Sequence, residues 1–415
     1  MKQVLLVSCL LFFGINLAGQ NARVVGYLPT YRFSSSDQIE YCKLTHLNLS
    51  FANPDSGGNI VMTDISAVMS DALSDNPDIV ICISMGGGAL SVEQADDWSN
   101  LIDIPANRPA FITKIVDYVL TNNLDGIDMD LEWGHVTPGY SGFITELDTA
   151  LTSHNKMLTA AFPNQTKFSN VSSAALEAFD FINIMSYDAK GPWAPSSPGQ
   201  HSSYSFSTFG VNFWKNSIGI SGDGLNLGVP FYGYDFVDIS TVNAVSYAGM
   251  VAANVSNSEL DQVGTAYYNG RPTIEAKVEL AKNEIGGIMI WELGQDSFDE
   301  YSLLKTIHDK YTSLKIITTG LCGNVFGSSI PEPEAFDKHI IYPNPSTGSL
   351  TIKHEYFKHP KVIITNTLGQ IASAEAIQKN NYELYFNLEN FSSGIYFITI
   401  ISETCMPTTH KLILK

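Results

Sequence analysis

At roughly 100–200 residues per domain, a chain of 415 residues has room for two or three domains, or for one large barrel with an appendage, and a small disulfide-stapled fold is excluded. Its 23 Lys and Arg against 42 Asp and Glu give a formal charge of −19, which repels phosphate backbones and anionic lipid and excludes a nucleic-acid partner. With 44% hydrophobic and only 16% charged residues, the composition supplies a sizeable core and argues against general disorder.

The first element is Met1-Lys2-Gln3, an apolar run over residues 4–15 and the small residues Ala18 and Gly19. A basic start, an apolar middle and a small-residue end predict a signal peptide over residues 1–19. The run of about 12 residues is too short for a membrane span, which needs about 20. No later stretch reaches that length, so no span is expected in the mature chain.

Residues 20–315 then repeat one pattern. Short apolar runs at 24–28, 46–51, 79–84, 126–131, 157–162, 181–185, 225–229 and 287–291 are each followed by a stretch able to carry a helix, the clearest at 109–120. Strands alternating with helices form a parallel sheet, and eight such units predict a closed (β/α)8 barrel. A doubly wound open sheet lacks its Gly-x-Gly-x-x-Gly turn after the first run. Cys42, Cys82, Cys322 and Cys405 show no C-x-x-C spacing, so zinc and redox motifs have no support, and Cys82 reads as a buried, inert thiol.

Composition changes at 316–337, where Gly, Ser and Pro predict a linker. Short strands separated by turn residues follow over 338–415 and predict a small β-sandwich without a carboxylate or His cluster.

The most informative segment is Asp125-Gly126-Ile127-Asp128-Met129-Asp130-Leu131-Glu132. Alternation along a strand places Asp128, Asp130 and Glu132 on one face, inside the barrel, while Asp125 has the opposite parity and serves the strand's start. Like charges in a poorly solvated space raise one another's pKa. Glu132 lies about 13 Å beyond Asp128, at the C-terminal mouth where barrel enzymes place their chemistry. A carboxylic acid held protonated there can protonate a glycosidic oxygen. With the partner carboxylates on its own strand, the pattern suits a substrate that supplies its own nucleophile.

The segment resembles the D-x-x-D-x-D-x-E signature of glycoside hydrolase family 18, the chitinases and their relatives, a (β/α)8 family. Ser84-Met85-Gly86-Gly87 is similar to its S-x-G-G, Met185-Ser186-Tyr187-Asp188 to its M-x-Y-D, and Trp291 to the Trp of its eighth strand. Leu131 departs from the Trp found in many members, on the face away from the carboxylates. The resemblance implies that Glu132 is the general acid and that the 2-acetamido carbonyl of the substrate is the nucleophile. It implies that Asp130 orients the acetamido group, that Asp128 holds Asp130, that Tyr187 bonds the acetamido carbonyl with Met185 and Asp188 nearby, and that Trp291 floors the sugar. No metal or cofactor is implied. Tyr27, Phe51, Trp193 and Tyr232 are expected at the mouth for sugar stacking, and Ser84, Gly86 and Gly87 as small structural residues. The interval of about 50 residues between Tyr232 and Gly286 is too short for the extra α+β domain that walls the cleft in many processive members, so an open cleft is expected.

The implied function is a secreted chitinase acting on chitin or N-acetylglucosamine oligosaccharides. Two alternatives are an endo-β-N-acetylglucosaminidase acting on N-glycans, which would share Glu132, and a chitin-binding lectin, which would have lost it. A serine hydrolase lacks G-x-S-x-G and a metallohydrolase lacks H-E-x-x-H. Finally, Tyr342-Pro343-Asn344-Pro345, Asn366-Thr367-Leu368-Gly369, Ser393-Gly394-Ile395-Tyr396-Phe397 and Lys411-Leu412-Ile413-Leu414-Lys415 resemble the C-terminal sorting domain of type IX secretion. That resemblance implies passage through the periplasm and then export by the type IX machinery.

Overall fold

The computed structural model describes residues 22–316, 318 and 340–415, the last without 354–360, 368–369, 373–375, 381–382 and 402–407. The expected signal peptide, nearly all of the expected linker, Cys322 and Cys405 lie outside the described residues. The chain divides into two compact units, Met1–Val325 and Phe326–Lys415.

In the first unit eight parallel strands close on themselves. They are β1 (Arg23–Pro29), β2 (His46–Pro54), β3 (Val80–Gly87), β4 (Gly126–Leu131), β5 (Met157–Pro163), β6 (Phe181–Met185), β7 (Leu225–Pro230) and β8 (Gly287–Trp291). Each pairs with the next in chain order, and β8 returns to β1 with Val24 opposite Ile288. All eight apolar runs are barrel strands. Their alternate residues pack outward against the helices, as Ile127, Met129 and Leu131 do from β4, all fully buried. Closure therefore confines the other parity, with its polar residues, to the bore.

Local chemistry starts and aims the helices. Ser91 and Gln94 form a reciprocal capping box at the start of Val92–Ile102. That helix carries the buried Trp98, whose indole N–H donates to Asn53 Oδ1 at 2.7 Å, and Asn53 in turn donates to the Gly86 carbonyl at 3.1 Å. One capped helix thereby pins the ends of β2 and β3 at the mouth.

The interval after β7 carries a small structure of its own. Residues 232–267 hold a four-stranded antiparallel sheet, in the order Val242–Ser246, Tyr232–Phe236, Ala266–Tyr267, Gln262–Val263. This small sheet occupies the interval expected to be too short for an extra α+β domain.

In the second unit two four-stranded antiparallel sheets enclose one core. Leu350, Ile352, Leu384, Phe386 and Leu388 come from one side, and Ile364, Tyr396, Ile398, Ile400, Leu412 and Leu414 from the other. Among the described residues, no helix is long and apolar enough to cross a membrane.

Candidate active site

Parallel register puts Ser84 of β3 and Thr159 of β5 level with Asp128 of β4. Both hydroxyls donate to its carboxylate at 2.7 Å. Tyr27 of β1 donates to Asp128 Oδ2 at 2.7 Å from across the bore, and Asn183 of β6 approaches Oδ1 at 3.4 Å. Burial pushes the Asp128 carboxyl up, and these donors oppose the rise.

Asp130, one strand period further on, is nearly as buried, yet its Oδ1 has no hydrogen-bond partner. Burial, then the charges of Glu132 and Asp128, push its carboxyl well above the ordinary range. The backbone at Asp130 is approached closely by Gly86, whose φ of +110° suits glycine and where a Cβ would stand 2.8 Å from the Asp130 carbonyl. Glu132 follows β4 in extended backbone at the mouth. Burial, then the Asp188 charge, raise its pKa to about 7. Asp125 points the other way and accepts from the Ile81 N–H at 2.8 Å, tying β4 to β3.

Above the row lies a cleft with two arms that share Glu132, Met185, Tyr187 and Asp188. The arm of about 470 Å³ is lined by Phe51, Gly86, Gly87, Asp130 and Trp291. Trp291 stacks on Phe51 at 5.5 Å between centroids and meets the edge of Tyr27 at 5.7 Å. The other arm, of about 570 Å³, is lined by Trp133, Trp193 and Phe206, and both tryptophans are 60% exposed. The Tyr187 hydroxyl faces Met289 Sδ at 3.8 Å, a weak acceptor that leaves it able to donate to a ligand.

Two expected stacking residues are placed differently. Tyr27 borders the arm that holds Trp291 but is 1% exposed, with its hydroxyl on Asp128, so it supports the carboxylates from below. Tyr232 is 7% exposed and donates to Asp188, because the chain leaves the barrel at Phe231 and turns the ring inward in the inserted sheet. Ser84, expected as a small structural residue, is also a donor to Asp128. Sequence reasoning missed Trp133, Thr159, Asn183, Tyr234 and His201. Thr159 and Asn183 carried a readable signal, since each is a polar residue at the inward parity of an apolar run. Among the described residues no cluster of His, Cys, Asp and Glu is arranged to hold a metal ion.

The arrangement can deliver one proton at the cleft from Glu132 while presenting Asp130 and Tyr187 to a polar group bound beside it. Comparisons with known proteins identify the family. The model for glycosyl hydrolases family 18 matches residues 23–296, and that for the secretion system C-terminal sorting domain matches residues 340–415. Probable chitinase 10 of Drosophila melanogaster is 26% identical over 293 residues, which cover 55% of this chain and only 13% of that protein. Human chitinase-3-like protein 2 is 24% identical over 63% of this chain and 82% of its own length. Among solved structures, the GH18 chitinase ChiB from the chitin utilization locus of Flavobacterium johnsoniae is 55% identical, covering 74% of this chain and 98% of its own, with a TM-score of 0.72. A chitinase from Bacteroides thetaiotaomicron is 28% identical over 70% of this chain and 96% of its own, with a TM-score of 0.61. The family match spans more than half of the 415 residues, and the chain belongs to glycosyl hydrolases family 18, with a C-terminal secretion sorting domain.

Proposed function

We propose that the protein is a secreted chitinase that hydrolyses β-1,4 linkages between N-acetylglucosamine units by substrate-assisted retaining catalysis. The observation that carries this reading is the graded carboxylate row, in which Asp128 is saturated with donors, Asp130 is buried with a free oxygen and Glu132 is raised to about 7 at the cleft. The 55% identity to a chitinase from a chitin utilization locus supports the substrate class. The retention of Glu132 favours hydrolysis over a binding-only lectin.

In this mechanism the Glu132 proton passes to the glycosidic oxygen as the bond to the anomeric carbon breaks. The acetamido carbonyl oxygen attacks that carbon from the opposite face, giving an oxazolinium ion. Asp130 accepts from the acetamido N–H and stabilises the cation, and the Tyr187 hydroxyl bonds the carbonyl oxygen. Water then attacks the anomeric carbon and gives a proton to the Glu132 carboxylate, which restores the acid. Trp291 and Phe51 supply an apolar floor. Two displacements at one carbon retain configuration, so the β-anomer forms first. The sorting domain implies export, with the signal peptide leading to the periplasm and the C-terminal unit to the type IX route.

The test is a product screen by mass spectrometry on chitin oligomers against a high-mannose glycopeptide, with anomers read by NMR. Internal cleavage of the oligomers with the β-anomer first is the expected result. Cleavage of the glycopeptide alone, or the α-anomer first, would sink the proposal.

A further inference from the structure

Below the carboxylate row the bore carries a line of hydrogen bonds with one direction. Arg23, four residues and about 13 Å below Tyr27 on β1, donates from Nε to Asn226 Oδ1 of β7 at 2.9 Å. Asn226 donates from Nδ2 to Asn183 Oδ1 of β6 at 2.9 Å. Asn183 Nδ2 then donates to the Tyr27 hydroxyl at 3.1 Å and approaches Asp128 Oδ1 at 3.4 Å. The two asparagines and Asp128 are fully buried. Arg23 is itself anchored, with its guanidinium 4.7 Å over the Phe181 ring and Nη2 donating to the Asp223 and Leu225 carbonyls.

Chemistry sets this direction. A guanidinium has donors and no acceptor, so the Asn226 atom facing it must be the carbonyl oxygen. The Asn226 amino group is then left for Asn183 Oδ1, and the Asn183 amino group for Tyr27 and Asp128. Because the Tyr27 oxygen receives from Asn183, its own hydrogen is free for Asp128. If Asn183 were reversed, its carbonyl oxygen would face the carboxylate and draw the Tyr27 hydrogen away from it.

We propose that Arg23 and Asn226 are positioning residues which, through Asn183 and Tyr27, keep every group in this line aimed as a donor at Asp128 and so keep Asp128 an acceptor-only carboxylate. The proposal rests on the chitinase reading for its catalytic consequence, because Asp128 stands one strand period below Asp130, the residue that accepts from the acetamido N–H. The hydrogen-bond direction itself needs no substrate.

The experiment therefore has two arms, both on the full chain. Arg23→Lys keeps a group that can only donate, whereas Arg23→Gln introduces an amide that can accept as well, and Asn226→Asp still accepts from Arg23 but cannot donate to Asn183. On chitin oligomers, Arg23→Lys is expected to keep most of the turnover. Arg23→Gln and Asn226→Asp should lose about tenfold or more in kcat with KM changed by less than about twofold. In the substrate-free arm, the downfield proton resonance of the Tyr27 hydroxyl, identified by its absence in Tyr27→Phe, should persist in Arg23→Lys and be shifted or lost in the other two. Lys and Gln variants that behave alike, or an unchanged resonance with unchanged kcat in all three, would overturn the proposal. A wild-type enzyme inactive on oligomers whose resonance still follows the Lys-versus-Gln pattern supports the relay and counts against the chitinase reading.

Discussion

The Tyr232 hydroxyl donates to Asp188 Oδ1 at 2.5 Å, and the Tyr234 hydroxyl reaches the same oxygen at 3.0 Å. Both tyrosines belong to the sheet inserted after β7, and the buried His201 places Nδ1 3.5 Å from that oxygen. The insert thus fixes a negative charge at the point where the two arms of the cleft meet, beside Glu132. Burial is the first cause of the raised Glu132 pKa and this charge is the second.

Together with burial, that charge is expected to place the alkaline limb of activity. Glu132 must be protonated to act as an acid, and with its pKa at about 7 the protonated fraction falls as pH rises through that value. Asp188→Asn removes the charge that resists ionisation, so the Glu132 pKa should drop and the limb should move to lower pH. The check is the pH profile of kcat/KM on a soluble chitin oligomer, which reports groups of the free enzyme. A limb that stays in place or moves to higher pH would remove Asp188 from this role.

Gly88 provides a steric test of the same acid. A Cβ there would stand 2.6 Å from Glu132 Oε1, and the residue's φ lies outside the left-handed region, so alanine fits the backbone but crowds the carboxyl. Since the crowded atom ends a flexible side chain, Gly88→Ala should change stability by no more than roughly 0.4–1 kcal/mol. Turnover should fall by about 10–100-fold, because displacing a reacting group by about 1 Å is that costly. Thermal melting and initial rates measured side by side decide the matter. Loss of rate in proportion to loss of fold would refute the steric account.

Glu132→Gln separates binding from proton transfer. The amide keeps the shape of the acid and cannot give up a proton at neutral pH, whereas Trp291, Phe51, Tyr187 and Asp130 still line the cleft. Hydrolysis should fall by about 10²–10⁴-fold while calorimetry still detects oligomer binding. Wild-type-like turnover in the variant would exclude Glu132 as the acid.

The sequence made the barrel legible because each of its strands is an apolar run of strand length, and it made the carboxylate row legible because a period of two is all that is needed to place Asp128, Asp130 and Glu132 on one face. What faces that row was less legible. Tyr27 and Asp128 are 101 residues apart and meet only because closure of the barrel turns β1 toward β4 across the bore. Asn183 reads as an inward polar residue, but its partner depends on the tilt and register of three strands. Tyr232, expected at the mouth, lies just past Pro230, where the chain leaves the barrel for the inserted sheet. Trp133 escaped notice because it stands just beyond the strand, at a φ of +50° that aims its ring out of the strand's alternation.

The C-terminal unit makes its own prediction. Among the described residues its apolar core is formed by residues between 350 and 414, and the residues that line the cleft or contact the carboxylate row lie within 22–316. A carbohydrate-binding sandwich needs a platform of exposed rings. Among the described residues of this unit, the large aromatic side chains that are exposed are Tyr342 and Phe397, and they belong to different sheets. The match to a secretion sorting domain over residues 340–415 accounts for the unit without such a platform. Deleting residues 338–415 should therefore leave kcat and KM on soluble oligomers unchanged and trap active enzyme in the periplasm of the producing cell. Fractionation followed by activity assay measures both quantities. Active truncated protein in the medium would refute the sorting role, and loss of affinity for insoluble chitin with normal export would instead identify the unit as a binding module.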